Sequence, residues 1–205
     1  MPSLPCPARK GCVAISSSPA EVSRTVAVIG SARLSPPDPR CLPAEQIGAA
    51  IAAQGWTVMT GGYGGLMEVA SRAAAEAGGR VIGLPMRGWT ALTPNRWNHE
   101  LVWSDTYPER LGHILAADAV VALDGGIGTL SEASLAWSTL QTEPVAADLI
   151  FLGAGWPPVL RSFAEHLVID DRDLIQVTVC SDAQEAIARI AGNEPRRPRV
   201  AGPRG

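Results

Sequence analysis

Between Thr25 and Ile190, short apolar runs alternate with longer stretches of helical spacing, and each run stops at glycine or another turn former. This alternation limits the fold more than any other feature. It excludes an all-β protein and a helix bundle, and it leaves an α/β domain with a parallel sheet. The opening run, Thr25-Val-Ala-Val-Ile-Gly30, is rich in β-branched residues and reads as the buried first strand. A proline-rich loop over 34–40 follows. The spacing then predicts a helix over Pro43–Gln54 stopped by Gly55, a strand over Trp56–Thr60, a tight turn over Gly61–Gly65, a helix over Leu66–Ala77 and a strand over Arg80–Leu84.

Pro85–Asn98 breaks the rhythm and reads as a long loop near the site. Beyond it, a fourth strand is expected over Glu100–Trp103. A helix capped at Asp105 or Thr106, with Glu109 completing a capping box, runs to about Ala117. A fifth strand covers Asp118–Leu123, and the turn Gly125–Gly128 opens a helix to about Leu140. Strands over Asp148–Leu152 and Gln176–Cys180 and helices over Pro157–Leu167 and Ser181–Ile190 close the domain. The expected organisation is a flexible arm over 1–23, a single nucleotide-binding domain over 24–191 and a disordered tail over 192–205.

A chain of 205 residues, 46% of them apolar, suffices for one domain with one site. The net charge of −3, with no basic run inside the core, offers no footprint for a nucleic-acid backbone. No apolar stretch reaches the roughly 18 residues of a membrane span, and 11–20 is too weakly apolar for a signal-peptide core, so a cytoplasmic protein is expected. Cys6, Cys12, Cys41 and Cys180 form no CxxC pair. His99, His113 and His166 are scattered, so reduced thiols and no metal are expected.

The chemistry lies in two similar turns, Gly61-Gly-Tyr-Gly-Gly-Leu66 and Gly125-Gly-Ile-Gly-Thr-Leu130, each where a strand's C-terminal end meets a helix. Ligands of open parallel sheets bind at that edge. Free amides and the positive end of the helix dipole attract an anion there, and glycine lets it approach. Gly30 and Ser31, at the end of the first strand, share the edge. The bland alternative is that the glycines only permit tight turns. Two such turns favour a phosphate, and so a nucleotide, held by Gly30, Ser31, Gly61, Gly62, Gly64, Gly65, Leu66, Met67, Gly125, Gly126, Gly128 and Thr129. The GxxxxGK[ST] pattern is absent, and GxGxxG fails because no glycine stands three residues after Gly64 or Gly128.

Glu132 has two readings, a capping box with Thr129 or a carboxylate facing the ligand's sugar. Arg110 falls near the start of a helix at the same edge, where a guanidinium suits phosphate or carboxylate oxygens; Arg33, Arg87 and Arg96 compete for that role. Trp89 and Trp97 can stack on a base or be buried in a subunit contact.

Three segments carry a family likeness: Gly61-Gly-Tyr-Gly-Gly-Leu-Met67, Ala77-Gly-Gly-Arg-Val-Ile-Gly83, and Asp118-Ala-Val-Val-Ala-Leu-Asp-Gly-Gly-Ile-Gly-Thr-Leu-Ser-Glu132. In that order they resemble the LOG (LONELY GUY) family, whose members were long labelled lysine decarboxylases. The resemblance spans about Thr25 to Ile190. It implies a Rossmann-like three-layer sandwich, a mainly parallel sheet with helices on both faces, that assembles as a homodimer without metal or cofactor. It implies hydrolysis of a nucleoside 5'-monophosphate, AMP or a cytokinin riboside monophosphate, to free base and ribose 5-phosphate. By position, Glu132 matches the family's catalytic glutamate, and Gly125, Gly126, Gly128 and Thr129 match its phosphate turn. Asp124 stands where the motif has proline. In Tyr107-Pro-Glu-Arg-Leu111, Arg110 lies one residue closer to the turn than the family's catalytic arginine, and an ungapped match would put Glu109 there; Arg110 is taken as the counterpart. Some relatives on this fold carry a phosphorylated cofactor such as molybdenum cofactor without hydrolysing it, which leaves a carrier as the alternative.

Overall fold

The computed structural model describes residues 23–143 and 147–193. The expected arm up to residue 22 and the tail from residue 194 lie outside the described residues. Seven strands, β1 (Thr25–Ile29), β2 (Thr57–Thr60), β3 (Val81–Gly83), β4 (Glu100–Leu101), β5 (Ala119–Ala122), β6 (Asp148–Leu152) and β7 (Thr178–Cys180), form one sheet in the order β4-β3-β2-β1-β5-β6-β7. All the pairings are parallel, so the sheet is wholly rather than mainly so. Helices α1 (Cys41–Ala53), α2 (Leu66–Glu76), α3 (Tyr107–Leu115), α4 (Ile127–Thr142), α5 (Trp156–His166), the short α6 (Asp171–Leu174) and α7 (Ala183–Gly192) complete it.

Two apolar layers sandwich the sheet. On one face, Val26 and Val28 of β1 and Val121 of β5 meet Ile47 and Ile51 of α1, Leu66 and Ala70 of α2, and Ile187 and Ile190 of α7. On the other, Ala27 and Ile29 meet Ile114 of α3, Ala133 and Trp137 of α4, and Trp156 and Leu160 of α5. Alternate residues of β1 serve opposite faces, as the strand period requires, and burial on both faces explains its uninterrupted apolar run. The chain moves outward from β1 to β4 on one side, then returns through α3 to β5 on the other. Right-handed crossovers demand that the helices change face at that reversal. The reversal between β1 and β5 makes the C-terminal ends of these strands the switch point.

Several boundaries differ from expectation. α1 begins at Cys41, before Pro43, because the first helical turn needs no donor from proline. β4 stops at Leu101, although an isolated parallel bridge from Met86 to Ser104 extends the alignment. α6, capped by Asp170 and Asp173, occupies residues to which the spacing gave no element, and β7 starts two residues after Gln176. α7 runs on to Gly192, past the expected domain end. There the Asn193 amide donates to the Asp148 carboxylate and the Arg24 guanidinium to the Ile190 and Asn193 carbonyls, so 192–193 belong to the folded unit. At α3, Thr106 Oγ1 accepts from the Glu109 amide at 3.4 Å, but the Glu109 carboxylate reaches Asp105 N at 2.8 Å, so the expected box closes one residue early.

Candidate active site

Ser31 laces the three loops at the switch point together. Its amide donates to the Asp124 carbonyl at 3.0 Å and its carbonyl accepts from the Leu66 amide at 2.8 Å. Gly30 permits this closeness, since a Cβ there would stand 3.1 Å from Leu123 Cβ and 3.3 Å from Leu66 Cβ. The lacing has a cost for anion binding: the amides of Ser31 and Leu66 are engaged, and that of Gly62 donates to Thr60 Oγ1 at 3.1 Å. The Leu66 and Met67 side chains are buried. The Ser31, Gly62 and Leu66 amides therefore shape the edge without offering a free donor, whereas the Met67 amide, ahead of the bond from Val69 N to the Gly65 carbonyl in the first turn of α2, has no acceptor among the described residues.

Free donors lie at the start of α4. Gly126 is its N-cap, and the first turn-closing bond runs from Leu130 N to the Gly126 carbonyl at 2.9 Å. The amides of Ile127, Gly128 and Thr129 precede that bond and have no acceptor among the described residues. A Cβ added at Gly126 or Gly128 would meet nothing within 4 Å among the described residues, so no packing within them accounts for glycine at either position. At Gly125, by contrast, a Cβ would collide with the Thr129 side chain. Because α4 starts at Ile127, Thr129 is its third residue and not its cap, and the capping-box reading of Thr129 and Glu132 fails.

Glu132 instead turns inward. Its Oε1 accepts from Arg110 Nη1 at 2.5 Å, and the two side chains are only 9% and 4% exposed. Arg110 Nε donates to the Leu84 carbonyl at 2.9 Å, fixing the guanidinium against the end of β3. Gly61 makes room for it, because a Cβ there would lie 2.5 Å from Arg110 Nη2 and 2.6 Å from Met67 Sδ. Above it, the Trp89 ring centroid is 5.6 Å from the guanidinium carbon, and Trp89 neighbours Tyr63 and Tyr107 at 5.9 and 6.3 Å. The fold thus brings together Arg110, Glu132, the Gly61 turn and the α4 amides, from elements far apart in sequence.

The competing arginines go elsewhere. Arg87 pairs with Asp105 at 3.1 Å and stacks on Trp103, and Arg96 covers Trp97, while Arg33 is exposed on the loop after β1. Trp97 therefore stands with Arg96 and Trp89 with Arg110. Asp124 directs its carboxylate into the turn after β6, accepting from Gly155 N at 3.2 Å. Among the described residues, no group of three or more His, Cys, Asp or Glu could hold a metal ion, and no helix is long and apolar enough to cross a membrane. Sequence reading missed Asn95 and Asn98, which reach back from the 85–98 loop to the Gly61–Gly65 turn. Their only signal was a pair of asparagines flanking Arg96-Trp97, where the structure has a turn.

With this geometry in view, the chain matches the family model described as the SLOG cluster4 family over residues 23–147. The chain belongs to the SLOG cluster4 family. A relative from Rhodococcoides fascians, named cytokinin riboside 5'-monophosphate phosphoribohydrolase, is 32% identical over 158 residues, covering 72% of this chain and 79% of that protein. The solved structure of the molybdenum cofactor binding protein from Rippkaea orientalis superposes with a TM-score of 0.68 at 25% identity, covering 83% of this chain and 96% of that one. The molybdenum cofactor carrier protein from Chlamydomonas reinhardtii gives 0.66 at 25% identity, covering 83% and 97%. The two solved structures share the Rossmann-like α/β fold with this SLOG cluster4 member.

Proposed function

We propose that this chain is a phosphoribohydrolase, cleaving the N-glycosidic bond of a nucleoside 5'-monophosphate, AMP or a cytokinin riboside monophosphate, to free base and ribose 5-phosphate. The observation that carries this reading is the buried Arg110–Glu132 pair one helical turn from the unengaged amides of α4. From Gly128 to Glu132 the helix rises about 6 Å, so a phosphate on the first turn leaves the ribose at the depth of the carboxylate. Departure of the base develops positive charge at C1', which a carboxylate stabilises while it directs water to the carbon. Glu132 takes that part. Arg110 holds Glu132 in one orientation and presents its remaining donors to ribose or phosphate oxygens. Gly126 and Gly128 supply the open side through which the anion approaches.

The name of the Rhodococcoides fascians relative supports the reaction class. Incubation of purified protein with a panel of nucleoside monophosphates, followed by chromatography, tests it. Free base and ribose 5-phosphate are expected, with release falling by about two orders of magnitude or more in Glu132→Gln and Arg110→Lys. The second reading is a carrier that binds a phosphorylated cofactor without turnover. The near-complete coverage of two molybdenum cofactor proteins favours it, and absence of base release from every nucleotide tried would select it. The working assembly in the hydrolase reading is a homodimer, and light scattering is expected to return about twice the 21.4 kDa chain mass.

A further inference from the structure

The Gly62 carbonyl accepts three hydrogen bonds from the 85–98 loop, from Asn95 N at 2.8 Å, Asn95 Nδ2 at 3.1 Å and Asn98 Nδ2 at 3.0 Å. Asn95 Nδ2 also donates to the Tyr63 carbonyl at 2.8 Å, and Asn95 Oδ1 is fixed by Trp97 N at 3.0 Å. One carboxamide therefore bridges two successive carbonyls of the glycine turn, and its own orientation is set by a third bond. At the loop's other end, Met86 N donates to the Tyr63 hydroxyl at 2.8 Å. Between these anchors Trp89 lies over Arg110, and on the far side of the clamped peptide Gly61 abuts the Arg110 guanidinium. Gly62 has φ +81°, and a Cβ there would press to 3.1 Å on Gly83 Cα, so the turn has no slack toward β3.

We infer that Asn95 is a positioning residue for the proposed hydrolysis: it clamps the Gly61–Gly65 turn and the Trp89 loop into one unit and so holds Arg110 against Glu132. It reaches no substrate atom; it acts through Gly61 and Arg110. The inference rests on the reading of Arg110 and Glu132 as the reacting centre.

The substitution Asn95→Asp keeps shape and Oδ1 but turns the donor facing two carbonyls into an acceptor. Ionised, the carboxylate repels both carbonyls; protonated, it donates to one of them. The crowd of acceptors raises its pKa, so protonation returns at mildly acidic pH. At about pH 8, kcat for base release is expected to fall on the order of tenfold or more relative to the unaltered protein. Toward about pH 5.5 the variant-to-parent kcat ratio is expected to recover at least threefold. A ratio near one at pH 8, or a reduced ratio that is the same at both pH values, overturns the inference. Hydrogen exchange separates it from failure of the hydrolase reading, because it needs no ligand. At pH 8 the amides of 61–66 are expected to exchange faster in the variant while those of α7 do not, even if the parent releases no base. Unchanged exchange at 61–66 overturns the clamp itself.

Discussion

Arg110 and Glu132 are each buried, and each satisfies the other. Such a pair contributes little net stability, because attraction is offset by the loss of hydration, but removing one member strands a buried charge. Glu132→Ala is therefore expected to destabilise the protein by about 3 kcal/mol in urea unfolding. The double variant Arg110→Met, Glu132→Leu should be distinctly less damaged than the sum of the single changes. If the two single effects simply add, the side chains are not coupled as their 2.5 Å contact requires. Two sequence readings of Glu132 were possible for a local reason. Its spacing from Thr129 is that of a capping box, and only the true start of α4 at Ile127 frees the carboxylate for the interior.

α4 carries a conflict that the proposed anion site would resolve. Gly128 sits in its first turn, where glycine costs about 0.5–1 kcal/mol relative to alanine, and no neighbour within 4 Å demands the missing Cβ. Gly128→Ala is therefore expected to raise the melting temperature while weakening ribose 5-phosphate binding, as calorimetry and a ligand titration would show. A variant more stable and equally tight would remove the anion from this helix end. Gly61 is the opposite case, since Arg110 and Met67 occupy the space a Cβ would need. Two glycines in similar motifs thus serve different ends, one making room for the protein's own arginine and one leaving a face open. The similarity of the two motifs concealed that difference.

Across the whole molecule the sheet sets both the site and the buried groups far from it. Cys180, at the end of β7, is 2% exposed. Its thiol is pushed from an ordinary 9.0 up to about 11, first by burial and then by Glu185 and Asp182. A raised folded-state value favours the protonated thiol, so the associated stability is complete below about pH 9 and is lost as pH rises through 11. The urea midpoint should accordingly decline between those values, and Cys180→Ala should decline less. Equal slopes for the two proteins would show that the thiol does not titrate as its burial demands.

The α/β alternation, the strand cores, the two glycine turns and the candidacy of Arg110 and Glu132 were legible in the residues alone, because those depend on local periodicity and side-chain chemistry. Boundaries slipped where a short helix such as α6 rests on its own caps, and at 192–193, where Asp148 of β6 and Arg24, just before β1, retain the chain. Which amides stay free, that Arg110 rather than Arg33, Arg87 or Arg96 meets Glu132, and that Asn95 ties the loop to the turn emerge from the folded chain alone. Hydrogen-bond satisfaction is settled by long-range neighbours: Ser31 consumes the donor of Leu66, and α3 and α4 converge because the chain reverses direction across β1 and β5.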